Sequence, residues 1–147
     1  MSKKYLGKRS EENTSQCTAF CQAVIRKAIE ITHIDFSVIC GHRGEIAQNK
    51  AYSSGYSKLK FDNSKHNKKP SQAFDIIPFF EDKSQTYKPM HYAVLYGALK
   101  AAEIIVKRET PIFNKYSLIG GINWDDDEIV YYDQTFQDLG HYEQQYI

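Results

Sequence analysis

Four residues carry the chemistry available to this 147-residue chain: His66, Asp75, Asp138 and His141. The first two flank a change of character in SKHNKKPSQAFDIIPF (64–79), which begins as a lysine-rich polar turn and ends in an apolar run. An ionised aspartate at the head of a run destined for the core costs on the order of several kcal/mol unless a cation meets it. That cation is an arginine, a lysine or a metal. Near the other end, DLGHYE (138–143) supplies a second histidine between two carboxylates. Two histidines and one carboxylate, with the fourth position left to water, form a common catalytic zinc arrangement, and His66, Asp75 and His141 can provide it. Spacing alone is weak support, because the chain lacks a helical HExxH motif. Taken singly, each residue also has an ordinary explanation. His66 can be a hydrogen-bonded loop histidine, Asp75 a turn cap or a partner of Lys68 or Lys69, and His141 a surface residue.

These side chains must be brought together by secondary structure that the periodicity makes legible. Behind a polar leader, a helix is predicted from Thr14-Ser15-Gln16 to about Ile31, with Cys17, Phe20, Cys21, Val24, Ile25, Ala28 and Ile31 on one face. DFSVIC (35–40) reads as a strand with Phe36, Val38 and Cys40 on one side, ended by Gly41. Arg43 to Gly55 reads as a short helix closed by glycine, and Tyr56 to Gln72 as a polar loop. AFDIIPF is the second strand, ending or lying at an edge at Pro78. Pro89 opens a long helix to about Arg108, and the Asp138 to Glu143 segment is strand-like. There is no repeat or linker, so residues 1–147 are expected to form one α+β domain, a small antiparallel sheet with flanking helices.

Composition limits the function. A formal net charge of +1 gives no basic excess for a polyanion, so nucleic acid is not the expected partner. No window reaches the roughly 18 apolar residues of a membrane span, so no membrane insertion is expected. The start MSKKYLGKRSEENTSQC shows no apolar stretch of a secretory signal, which points to a cytoplasmic location. Cys17, Cys21 and Cys40 are an odd set and are expected to be reduced thiols, the first two in or near the core.

The ordered motifs DFSVICGHRGEIAQNKAYSSGYSK, SKH, AFDIIP and DLGHYE resemble the zinc peptidases that cut bacterial peptidoglycan stem peptides. That family includes VanY-type D-alanyl-D-alanine carboxypeptidases and the L-alanyl-D-glutamate endopeptidases of phage endolysins. The resemblance covers about Ile31 to Tyr142 and implies a hedgehog/DD-peptidase-like fold. It also implies that His66, Asp75 and His141 bind Zn2+ and that Asp138 is the general base. Arg43 then faces the substrate carbonyl and its developing oxyanion, while Ser64 and Gln48 contact substrate. Glu143, the rival base on residue grounds because a strand puts it on the face of His141, becomes a partner of that histidine or a surface residue. The family spacing of seven from histidine to aspartate is nine here (75 − 66), a two-residue insertion, with NKKPSQ between His66 and Ala73 and no glycine. Such an insertion costs little loop entropy, and Pro70 can stiffen it.

For the remaining residues, Trp124 is either a cleft-lining aromatic or core. Asp125 to Glu128 is a solvated loop or a cation site, and His33, His42 and His91 are structural or solvated. The expected function is that of a phage endolysin, an L-alanyl-D-glutamate endopeptidase acting as a monomer on peptidoglycan stem peptides. It would stay in the host cytoplasm until a holin opens the way to the periplasm and wall. The alternatives are a D-alanyl-D-alanine carboxypeptidase or dipeptidase and a non-catalytic peptidoglycan-binding module of the same fold.

Overall fold

The computed structural model describes residues 4–128, 130 and 138–147. Among these lie helices α1 (Lys8–Ser15), α2 (Ala19–Ile31), α3 (Glu45–Ser53) and α4 (Pro89–Glu109). The strands are β1 (Phe36–Cys40), β2 (Ala73–Pro78), β3 (Tyr116–Gly120) and β4 (His141–Tyr146). They form one antiparallel sheet in the order β1-β2-β4-β3, so the last strand of the chain enters the middle of the sheet.

Strand alternation explains the placement of Asp75. Phe74 and Ile76 are buried in the core that α2 and α4 build on one face of the sheet, while Asp75 between them points to the other face. Tyr142 of β4 follows the same rule and stacks on Phe74 with ring centroids 5.5 Å apart. His141 and Glu143 therefore share the face of Asp75. The register sets Asp75 directly opposite His141, which is where cross-strand side chains meet. β2 ends at Pro78, whose ring cannot donate to a ladder.

Two local expectations change. The single helix from Thr14 is two helices, because Gln16 to Thr18 leaves the helical path to bind the loop before β2. Ser71 N donates to Gln16 O (2.8 Å) and Thr18 N to Ser71 O (2.9 Å). Thr18 then caps α2, its hydroxyl accepting from Cys21 N. The polar leader holds α1, which buries only Ser10 and Thr14 and so leaves no apolar period to read. Its purchase is polar: Ser10 Oγ accepts from Val38 N at 3.0 Å.

The second change concerns Cys40. The register with β2 shifts between Val38 and Cys40, so that Val38 pairs with Ile76 but Cys40 pairs with Asp75. This bulge turns Cys40 away from the core face occupied by Phe36 and Val38 and toward His66. Cys17 and Cys21 are buried and all three thiols are free. α3 is closed as expected, with Gly55 at a φ of 80°. β3 carried no strand signal of its own beyond Leu118 and Ile119. No helix among the described residues is long and apolar enough to cross a membrane.

Candidate active site

His66 rides on a tight turn whose every bond serves to hold its ring. The 3-10 turn Lys65–Asn67 is capped by Ser64, with Ser64 Oγ accepting from His66 N (3.2 Å) and Asn67 Oδ1 from Ser64 N (3.0 Å). His66 O accepts from Arg43 N (2.8 Å). Its Nδ1 lies 2.7 Å from Gly41 O, a group that can only accept, so Nδ1 carries the proton and Nε2 is left facing the sheet. The inserted residues do not displace Asp75. Gln72 N returns to Lys65 O and Ser71 is pinned to Gln16 and Thr18, which closes the loop as a rigid ring.

The result is a triangle of donor atoms. His66 Nε2 is 3.2 Å from Asp75 Oδ1 and 3.3 Å from His141 Nδ1, and His141 Nδ1 is 3.0 Å from Asp75 Oδ1. Ligand atoms about 2.0–2.1 Å from a tetrahedral zinc lie about 3.3 Å from one another, so this donor set fits the ion. The atoms facing away from the triangle are also engaged. His141 Nε2 meets Glu143 Oε1 at 3.3 Å, and Glu143 Oε2 is held by Lys65 Nζ at 3.0 Å. Asp75 Oδ2 accepts from Arg43 Nη2 at 3.2 Å. Outer partners of this kind fix ring orientation and tautomer in metal sites.

Cys40 also comes within ligating reach of His66 and Asp75. Its sulfur, however, lies 3.7 Å from His66 Nδ1, the nitrogen already bonded to Gly41. The triangle with His141 uses the free nitrogen of each ring and is the better cation site.

Without an ion the triangle is held by protons. Burial opposes charge on His66, but the hydrogen bond to Asp75 outweighs it and lifts the pKa to about 10. Burial likewise opposes charge on His141, and its bonds to Asp75 and Glu143 lift its pKa to about 9. Burial would raise Asp75, yet the two imidazoles hold it well below the usual carboxylate range.

Asp138 reaches the same cleft from the turn before β4. Its backbone is clamped, with N donating to Gly121 O (3.0 Å) and O accepting from His141 N (3.2 Å). A Cβ on Gly121 would collide with Asp138, and one on Gly140 with Ile76 O, so both glycines permit this close packing. Burial raises the carboxyl pKa of Asp138, with His141 opposing and Asp75 reinforcing the shift.

Arg43, Ser64, His66, Trp124, Asp138, His141 and Glu143 line one open cleft with the loop residues Tyr56 to Leu59. The Trp124 ring lies 5.4 Å from that of His141. Gln48, expected at the substrate, is instead fully buried beneath the cleft wall. Its Oε1 accepts from Arg43 Nη1 (3.2 Å) and Asn67 Nδ2 (3.2 Å), and its Nε2 donates to Ser57 Oγ and Leu59 O. Arg43 is more constrained than expected, since it braces Asp75 as well as facing the cleft. Lys68 and Lys69 do not reach Asp75; Lys68 pairs loosely with Asp62. Asp125 to Glu128 is an exposed run. Sequence reading missed Cys40 and Lys65. The first needed the bulge, and the second lies 78 positions (143 − 65) from the glutamate it holds.

A comparison with curated protein sequences finds no significant match. Among solved structures, the L-Ala D-Glu endopeptidase ChiX of Serratia marcescens shares the fold, with a TM-score of 0.71. The two are 22% identical, over 97% of this chain and 91% of that one. The family model of phage L-alanyl-D-glutamate peptidases matches residues 1–144. The chain therefore belongs to the phage L-alanyl-D-glutamate peptidase family and is a peptidoglycan peptidase.

Proposed function

We propose that this peptidase is a zinc-dependent endopeptidase that cuts between L-alanine and D-glutamate in peptidoglycan stem peptides, as a phage endolysin. The observation that carries the reading is the convergence of His66 Nε2, His141 Nδ1 and Asp75 Oδ1 on one point, with each residue's outward atom bonded elsewhere. A zinc ion held there would supply Lewis acidity, lowering the pKa of water toward about 7 and polarising a carbonyl.

The chain's own groups divide the remaining work. Asp138, whose carboxyl is shifted upward by burial, takes a proton from the attacking water and passes it to the leaving amine. The Arg43 guanidinium stabilises negative charge developing on the carbonyl oxygen. Its bond to Asp75 fixes its position beforehand. Ser64 orients the His66 turn at the cleft wall, and Gln48 contributes by holding Arg43. Trp124 forms an apolar wall that limits water around the reacting bond. In this reading the enzyme acts as a monomer and reaches the wall from the host cytoplasm once a holin opens the membrane.

Digestion of purified peptidoglycan followed by mass spectrometry tests the proposal. Fragments with a new D-glutamate amino terminus are expected from the native protein. Neither fragments nor bound zinc are expected from His66→Ala or His141→Ala. Loss of only the terminal D-alanine would make it a carboxypeptidase. Full activity in metal-free protein would overturn the mechanism.

A further inference from the structure

The substrate does not end at the alanine side of the bond being cut. In peptidoglycan the nitrogen of that L-alanine is acylated by the lactyl group of an N-acetylated amino sugar. The glycan strand therefore lies one residue from the scissile amide, and the cleft must place a sugar as well as a peptide. Its two walls are unlike. Trp124 and Asp138 form one of them, and Tyr56 to Leu59 with Asn63 to His66 form the other. Asp138, as proposed above, protonates the leaving amine of D-glutamate, so the carboxyl-terminal part of the substrate lies on its side. The amino-terminal part, with its sugar, then extends toward the opposite wall.

That wall carries apolar side chains that the core does not take up. Tyr52, Tyr56, Leu59 and Phe61 are all exposed, and Tyr56 and Leu59 line the cleft itself. Apolar side chains left open beside a cleft mark a ligand surface. Tyr56 is the extreme case at 87% exposed, yet its backbone is firmly held. Tyr56 N and Ser57 N both donate to Ala51 O, at 2.9 and 3.1 Å, just after Gly55 turns the chain out of α3. Gln48 Nε2 clamps the next residues by donating to Ser57 Oγ (3.0 Å) and Leu59 O (2.6 Å). The same buried glutamine accepts from Arg43, which bonds Asp75. The ring of Tyr56 is thus carried on a backbone fixed relative to the cation triangle, which lowers the ordering cost of binding. Asn63, exposed on the same wall, adds a carboxamide. An aromatic face with an amide beside it suits an amino sugar, whose C–H face stacks on a ring while its hydroxyl and acetamido groups take hydrogen bonds.

We infer that Tyr56 is a substrate-binding residue whose ring stacks on the N-acetylated amino sugar attached to the L-alanine of the stem peptide, with Asn63 bonded to the sugar's polar edge. This role rests on the endopeptidase reading and adds to it a preference for stem peptides still joined to glycan. One such stack corresponds to roughly 3- to 10-fold in kcat/KM.

The test uses zinc-loaded protein and two soluble substrates with the same stem peptide. In one the L-alanine carries the disaccharide of N-acetylated amino sugars through its lactyl group, and in the other it carries lactate alone. Native protein is expected to favour the sugar-bearing substrate by roughly 3-fold or more in kcat/KM. Tyr56→Ala should bring the ratio near one, mainly by slowing cleavage of the sugar-bearing substrate, with zinc content unchanged. Tyr56→Phe and Tyr56→Trp should retain the preference. No preference in the native protein, or an unchanged ratio in Tyr56→Ala, overturns the assignment and leaves the endopeptidase reading standing. Cleavage of neither substrate by native zinc-loaded protein would remove the endopeptidase reading and this one with it.

Discussion

At Asp75 the protein solves one electrostatic problem with three partners. A half-buried carboxylate accepts from two imidazoles through Oδ1 and from a guanidinium through Oδ2. In metal-free protein this arrangement ties stability to pH with a definite sign. His66 and His141 have folded pKa values raised to about 10 and about 9, above roughly 6.5 for an unfolded histidine. Their contribution is complete below pH ~6.5 and is lost as pH rises through 9 to 10. Asp75 is depressed, so its contribution is present above about pH 4, near its unfolded pKa, and is lost as pH falls further. A metal must displace the two imidazolium protons. Zinc binding at pH 7 is therefore expected to release about two protons, and affinity should rise as pH goes from 6 to 9. Calorimetry in buffers of different ionisation enthalpy measures this directly. Binding with no proton release would show that the imidazoles are neutral beforehand.

At the scale of elements, the site is a product of register and close approach. β2 and β4 place Asp75 opposite His141, the β1 bulge brings Cys40 beside them, and Gly140 lets the turn carrying Asp138 lie against Ile76. Gly140→Ala forces a methyl group onto the Ile76 carbonyl and is expected to cost about 1–3 kcal/mol while weakening zinc binding and activity. Gly97, exposed within α4 with nothing near its added Cβ, gives the opposite sign. Gly97→Ala should stabilise by up to about 1 kcal/mol and leave activity intact. Urea unfolding of the two variants distinguishes close packing from a general intolerance of side chains.

The same elements show what the sequence made legible. α2, α4, β1 and β2 announce themselves because each buries an apolar face of regular period. α1 does not, since its contacts are hydroxyl groups satisfied by neighbouring backbone. The metal-type residues were legible through ordered motifs, not through periodicity. Gln48 shows the limit of that route: a polar residue in a motif can be a buried brace, and only its hydrogen bonds reveal it. The pairing of Lys65 with Glu143 depends on where the chain's last strand enters the sheet, which no local pattern encodes.

Across the whole molecule, the triangle joins segments that little else unites in one small volume. His66 comes from a 3-10 turn, Asp75 from β2 and His141 from the start of the C-terminal strand β4. An ion bound to all three is absent from the unfolded chain's preferences, so its binding free energy adds to folding stability. At a free zinc concentration 100 times Kd the gain is about 2.7 kcal/mol. For a chain of 147 residues, 1 kcal/mol corresponds to about 2–4 °C in Tm, so zinc should raise Tm by about 5–10 °C. A chelator should reverse the shift, and His141→Ala should show none. Because β4 sits between β2 and β3, loss of the metal should loosen the C-terminal strand more than α2 and α4, whose packing is apolar. Hydrogen exchange measured with and without zinc tests that gradient. Protection gained chiefly in β2, β4 and the His66 turn supports a cation shared by the three residues. Protection gained uniformly, or a Tm indifferent to zinc, would mean that the triangle is held by its protons alone.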